Sequence, residues 1–263
     1  VSRIREKFKL LRREQKSALI PYLTPEFPVR GATVPLALAL DHVGADLIEL
    51  GVPFSDPIAD GPTIQHASTV ALRNGITLKK VLSLAHEIRL QSEVPIILMG
   101  YYNSFLHYRL YRFFADAHSA GIDGVIVPDL PPEESGELVA AARQNHVGTT
   151  FLIAPTTAVD RIKRIDRLST EFSYCVSVTG VTGARKSLGE KKQLEGFLRR
   201  VEKNTRKPFV VGFGISRREQ VREVCRYADG AVVGSALIRA IGQCTSVSGA
   251  VRAAERFFRS LQG

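Results

Sequence analysis

Eight short apolar runs recur along this 263-residue chain, and an amphipathic helical stretch separates each from the next. The runs occupy 18–23, 46–50, 95–100, 124–128, 149–153, 172–178, 209–212 and 230–233. Several, such as GVIVP and PFVVGFG, are apolar without alternation, as parallel strands buried on both faces are. Helical spacing marks 33–43, 63–72, 78–91, 108–120, 133–146, 159–168, 191–204, 217–226 and 247–261. Two of these helices run into Gly44-Ala45-Asp46 and Gly121-Ile122-Asp123, a glycine stop followed by strand entry. This alternation, without a Pro/Ser-rich linker, predicts an α/β chain with one domain over 1–263, a single (β/α)8 TIM barrel. Ile4, Phe8 and Leu11 recur at helical spacing, so a short N-terminal helix is expected before the barrel. A doubly wound sheet is the competing architecture, but Gly212-Phe213-Gly214-Ile215-Ser216-Arg217 lacks the third glycine of a dinucleotide fingerprint. In a barrel the chemistry sits just beyond the C-terminal strand ends, so those positions are the ones to read.

Composition narrows the partners. No apolar run approaches the ~20 residues of a membrane span, and the basic opening VSRIREKFKLLRREQK has no apolar core of a secretory signal. Cys175, Cys225 and Cys244 are scattered, which suits reduced thiols in a cytoplasmic protein. The six histidines show no ligand spacing, so no metal site is expected. The net charge of +10 invites a nucleic-acid reading. The basic residues are spread along the helices, however, with no recognition-helix or zinc-knuckle pattern, so no nucleic-acid partner is expected. A basic surface of this kind steers anionic substrates and acidic protein partners.

Glycines cluster after the last three strands, in Gly180-Val181-Thr182-Gly183, Gly212-Phe213-Gly214 and Gly234-Ser235. One such glycine is ordinarily a turn. Together, at the ends of strands six to eight, they match the place where barrels bind phosphate through backbone N–H groups. Gly183, Gly212, Gly214, Gly234 and Ser235 are therefore the candidate phosphate site. Two carboxylates form the second cluster. Glu49 lies near the end of the apolar strand DLIEL, where burial raises its pKa, and Asp60 returns eleven residues later in a polar loop. Each alone has a plain structural reading: Glu49 bonded to a neighbouring strand, and Asp60 as a turn or cap before helix 63–72. Delivered together, they suit acid–base chemistry in which one group cycles a proton and the other stays ionised.

The stretch ELGVPFSDPIADG (49–61) resembles the signature of the tryptophan synthase α chain family. The resemblance spans nearly the whole chain, through MGYYN (99–103), VPDLP (127–131), APTT (154–157), SVTGVTGAR (177–185), GFGIS (212–216) and DGAVVGSAL (229–237). It implies cleavage of indole-3-glycerol phosphate to indole and glyceraldehyde 3-phosphate, a retro-aldol reaction needing no cofactor in this chain. It also implies the residue roles. Glu49 would be the principal acid–base group, Asp60 the acceptor for the indole N–H, and Tyr174 a hydrogen-bonding active-site tyrosine. Tyr22, Met99 and Phe213 would line the indole pocket, and Thr182 would reach Asp60 when loops 53–60 and 179–193 close. Pro53, Asp56 and Asn103 would face a β chain that carries pyridoxal phosphate, in an allosteric α2β2 heterotetramer. The sequence departs from the family pattern at Thr24-Pro25-Glu26-Phe27-Pro28 and in the basic segment 186–192. Two alternatives stay open: another phosphate-binding barrel enzyme, and a catalytically silent subunit that only activates its β partner.

Overall fold

The apolar runs form one all-parallel sheet in the computed structural model, which describes residues 2–176, 188–212 and 214–262. In chain order the strands are β1 (Ala18–Leu23), β2 (Ile48–Gly51), β3 (Ile96–Met99), β4 (Gly124–Ile126), β5 (Gly148–Thr150), β6 (Leu152–Ile153), β7 (Ser173–Val176), β8 (Phe209–Gly212) and β9 (Gly230–Val233). Their order across the sheet is β5-β4-β3-β2-β1-β9-β8-β7-β6. The two ends of that list are halves of one predicted strand, 149–153, parted only at Phe151. There the backbone N–H turns to Ser169 Oγ (3.1 Å) and the carbonyl accepts from Tyr174 N (3.1 Å). β5 pairs with β4 and β6 with β7, so the chain itself closes the sheet into an eight-position barrel. β1, β2, β8 and β9 bury every residue, which is why the sequence there is apolar apart from Glu49.

The helices are α1 (Arg3–Arg13), α2 (Thr33–His42), α3 (Pro62–Arg73), α4 (Leu78–Arg89), α5 (Tyr102–Tyr108), α6 (Leu110–Ser119), α7 (Gly136–Gln144), α8 (Val159–Leu168), α9 (Leu188–Glu202), α10 (Arg218–Val224), α11 (Ser235–Ile241) and α12 (Val247–Leu261). The expected helix 108–120 is shorter, and a separate α5 precedes it. Arg109 stands between the two with φ +73°, outside helical geometry. The expected helix 133–146 starts only at Gly136, because Pro131 to Ser135 fold into a turn first. In that turn Glu134 N donates to the Pro131 carbonyl (3.0 Å) and Ser135 Oγ to that of Pro132 (2.9 Å).

The aspartates at three strand entries, two of them in the Gly-x-Asp pattern, have a second role. Asp46, ahead of β2, accepts from Leu19 N of β1 at 2.9 Å. Asp123, ahead of β4, accepts from Ile96 N of β3 at 2.8 Å. Asp229, ahead of β9, accepts from Phe209 N of β8 at 3.0 Å. Each carboxylate thus satisfies an N–H at the start of the preceding strand and fixes the stagger between neighbours at the N-terminal end of the barrel.

Helix α1 covers that same end. Its Ile4, Phe8 and Leu11 are buried as their spacing predicts, and Ser2 Oγ caps Arg5 N at 3.3 Å. Phe8 packs on Phe172 with ring centroids 5.6 Å apart. Arg3 pairs with Asp123 (3.2 Å), Arg5 with Glu171 (3.2 Å) and Lys7 with Asp46 (3.7 Å). Part of the basic excess is therefore matched to acids at the strand starts. Phe8→Ala should lower unfolding free energy by about 3–5 kcal/mol through the cavity it leaves. Urea denaturation measures this, and a loss below about 1 kcal/mol would mean that α1 is not part of the core.

At the opposite end, the atypical segment after β1 is a compact knot. Glu26 has φ +63° and is 8% exposed. Its carboxylate accepts from Gly31 N (2.8 Å) and Thr33 Oγ1 (3.0 Å), and its carbonyl accepts from Asn74 Nδ2 (2.8 Å) just beyond α3. Phe27 meets His66 of α3 edge-on. The loop after β1 thus braces α3, the helix that follows Asp60.

Candidate active site

Glu49 lies on β2, in register with Tyr22 of β1 on one side and Ile97 of β3 on the other. It is 2% exposed. Burial raises its pKa to about 8, and the negative charge of Asp60 pushes in the same direction. The group therefore carries a proton at neutral pH, unlike an ordinary surface glutamate.

Two buried tyrosines flank it. Tyr22 lies across Gly51 of β2, where a Cβ would come within 1.9 Å of the phenol oxygen. Tyr174 of β7 lies across Gly212 of β8 in the same manner, with 2.0 Å to its oxygen. Only glycine leaves room for either ring. Burial raises the pKa of both phenols. After burial, the charge of Asp60 is the largest influence on Tyr22, and that of Glu49 the largest on Tyr174. Both phenols therefore stay neutral across the ordinary pH range.

Asp60 stands at the end of the loop between β2 and α3, half-buried, one residue before the helix cap at Gly61. Burial raises its pKa, and a hydrogen bond from the Tyr101 hydroxyl opposes that shift. Tyr101 carried no assigned role in the sequence. Its position, two residues past the end of β3, was the available signal. Its hydroxyl accepts from Ala59 N at 2.9 Å, and its ring stacks on Phe54 at 5.2 Å.

The remaining predicted residues sort by position. Met99 ends β3 half-buried, in register with Gly51, and its carbonyl accepts from Val52 N at 2.7 Å. Gly212 ends β8, next to β9 in the sheet, and Gly234 and Ser235 lead from β9 into α11. Gly234 also lies against Tyr22, which brings this segment to the same barrel end as Glu49. Gly214 is exposed two residues beyond β8. Thr182, Gly183 and Phe213 lie outside the described residues. Pro53 is half-buried, and Asp56 and Asn103 are exposed, in the segments that follow β2 and β3. A groove of about 460 Å³ between α9 and α10, lined by Lys191, Glu195, Glu219 and Tyr227 among others, contains none of these residues.

Among the described residues, no group of three or more His, Cys, Asp or Glu side chains is placed to hold a metal ion. Among those same residues, no helix is long and apolar enough to cross a membrane.

The chain is similar to known proteins along nearly its whole length. The family model for the tryptophan synthase alpha chain matches residues 8–262. The chain belongs to that family. It is 50% identical to the tryptophan synthase alpha chain of Roseiflexus castenholzii, with all of both chains covered. It is 47% identical to that of Prosthecochloris aestuarii, over 96% of this chain and 97% of the relative. Among solved structures it is similar to tryptophan synthase subunit alpha of Legionella pneumophila, with a TM-score of 0.91 at 34% identity over 99% and 97% of the two chains. It is also similar to a chain of the Pyrococcus furiosus tryptophan synthase α2β2 complex, with a TM-score of 0.84 at 39% identity over 93% and 97%. The barrel expected from the strand–helix alternation is thus the fold this family shares.

Proposed function

We propose that this chain, acting as one barrel domain over 1–263, cleaves indole-3-glycerol phosphate to indole and glyceraldehyde 3-phosphate as the α subunit of a tryptophan synthase. One observation carries the reading. Two carboxylates reach the same barrel end, and their surroundings divide their tasks: Glu49 is fully buried and protonated near neutrality, while Asp60 is half-buried on a polar loop with a hydroxyl donor.

The reaction follows from that division. Glu49 gives its proton to indole C3, which places positive charge on the ring system. Asp60 accepts a hydrogen bond from the indole N–H and stabilises that charge. Glu49, now a carboxylate, takes the proton of the side-chain hydroxyl next to the C3 bond. The carbon–carbon bond breaks, its electron pair returns to the ring, and the hydroxyl carbon leaves as the aldehyde. Glu49 ends with the proton it began with. Tyr174 hydrogen-bonds the reacting region, and Tyr22, Met99 and Phe213 enclose the indole. The ester phosphate sits at Gly183, Gly212, Gly214, Gly234 and Ser235, where backbone N–H groups serve as donors. Thr182 meets Asp60 when the loops close, which excludes water from the cationic intermediate.

The partner is a tryptophan synthase β chain in an α2β2 assembly, docking on Pro53, Asp56 and Asn103, with pyridoxal phosphate on the β chain alone. Ile58, 83% exposed on the same loop as Asp56, supports this face as an apolar contact. Incubation with indole-3-glycerol phosphate should release indole and glyceraldehyde 3-phosphate in equal amounts, faster when a β chain is added. A folded chain that binds β but releases no indole would instead be a silent activating subunit.

A further inference from the structure

Tyr101 gathers three residues of the loop after β2. Its hydroxyl accepts from Ala59 N at 2.9 Å and lies beside the Asp60 carboxylate, whose pKa it lowers, and its buried ring stacks on Phe54 with an interplanar angle of 24°. The tyrosine itself is held on both sides. Gly100 N donates to the Ile126 carbonyl at 3.0 Å, and Tyr102 N donates to Asp129 Oδ1 at 2.9 Å. A Cβ at Gly100 would come within 2.8 Å of Phe105, so the backbone beneath Tyr101 is packed against α5. A fixed post just beyond β3 therefore meets a loop that has few anchors of its own.

We propose that Tyr101 is the positioning residue that aims the Asp60 carboxylate at the indole N–H and holds it there as an anion. The inference rests on the lyase reading above and adds a residue to it. A carboxylate free to turn about its side-chain torsions meets the ring nitrogen only part of the time. A phenol O–H donating to one carboxylate oxygen leaves the other oxygen directed and the charge stabilised. The same phenol oxygen, by accepting from Ala59 N, fixes the backbone from which Asp60 projects. Burial and the charge of Asp60 raise the Tyr101 pKa, so its hydroxyl remains a donor across the working pH range.

Tyr101→Phe keeps the ring and its stack on Phe54 and removes only the hydroxyl. With the β chain present, kcat for indole release should fall about 10–100-fold, the range of one hydrogen bond to a charged group. KM should change much less. The acidic limb of kcat/KM should move up by about one pH unit, as Asp60 loses the donor that holds its pKa down. In an Asp60→Asn background, Tyr101→Phe should change kcat by less than about twofold, since the group it positions has lost its charge. A Tyr101→Phe enzyme with unchanged kcat and an unmoved acidic limb would overturn the inference. So would an equal loss in the Asp60→Asn background, which would assign Tyr101 to the fold alone. Should the variant not fold, 13C labelling of the tyrosine rings in wild type gives the same answer: the Tyr101 Cζ resonance should follow the titration of Asp60, and a resonance that ignores it overturns the inference. A wild-type chain that releases no indole with β overturns both the lyase reading and the inference.

Discussion

Glu49→Gln should abolish indole release and, at alkaline pH, make the protein more stable than wild type. The first effect follows from chemistry: an amide neither protonates C3 nor takes the hydroxyl proton, and loss of a general acid–base group lowers rates by about 10²–10⁴-fold or more. The second follows from linkage. The pKa of Glu49 is 4.5 in the unfolded reference and about 8 in the folded protein. Below pH 4.5 both states hold the proton, and the carboxyl places no pH-dependent load on folding. As pH rises from there, the unfolded chain releases its proton while the folded one retains it, so folding becomes progressively less favourable until about pH 8. The accumulated penalty is roughly 5 kcal/mol at 1.36 kcal/mol per pH unit. Glutamine removes it. Urea melts at pH 4 and pH 9 should show the variant gaining on wild type by several kcal/mol between the two. A gap that does not change with pH would mean that Glu49 is ionised in the native state.

Gly212→Ala should damage both stability and turnover, and shortening Tyr174 should relieve part of the damage. A Cβ at residue 212 would lie 2.0 Å from the Tyr174 oxygen and 2.4 Å from Cζ. The ring, 4% exposed, has no solvent to retreat into and must be driven toward Glu49 or force β7 and β8 apart. Overpacking of this kind costs about 1–3 kcal/mol. A ring displaced in the active site also loses the position from which it bonds substrate. Tyr174→Leu in the Gly212→Ala background removes the clashing atoms, so the double variant should be more stable than the glycine variant alone. Additive losses would show that the ring and the new methyl group do not meet.

The barrel was legible in the sequence because parallel strands buried on both faces and helices with one buried stripe leave different periodicities. The break in the fifth strand was not, since it depends on Ser169, far along the chain, taking the Phe151 N–H. Helix α5 was missed for a similar reason: its first N–H is satisfied by Asp129 from the loop after β4, and no local capping residue announces it. Glu49 and Asp60 were legible because a carboxylate at the end of an apolar strand is conspicuous. Tyr101, and the pairing of Tyr22 with Gly51 and of Tyr174 with Gly212, were not. They depend on how side chains cross between neighbouring strands, which register decides and sequence does not display.

The chemistry turns on Glu49 holding a proton at neutral pH. Infrared difference spectroscopy across a pH titration, with Glu49→Gln as the blank, observes that carboxyl directly. Its protonated C=O band should persist at pH 7 and disappear with a midpoint near pH 8, and Asp60→Asn should move the midpoint down by removing a neighbouring charge. A midpoint near the ordinary value of 4.5, unmoved by Asp60→Asn, would contradict the assignment of Glu49 as the group that protonates the indole ring.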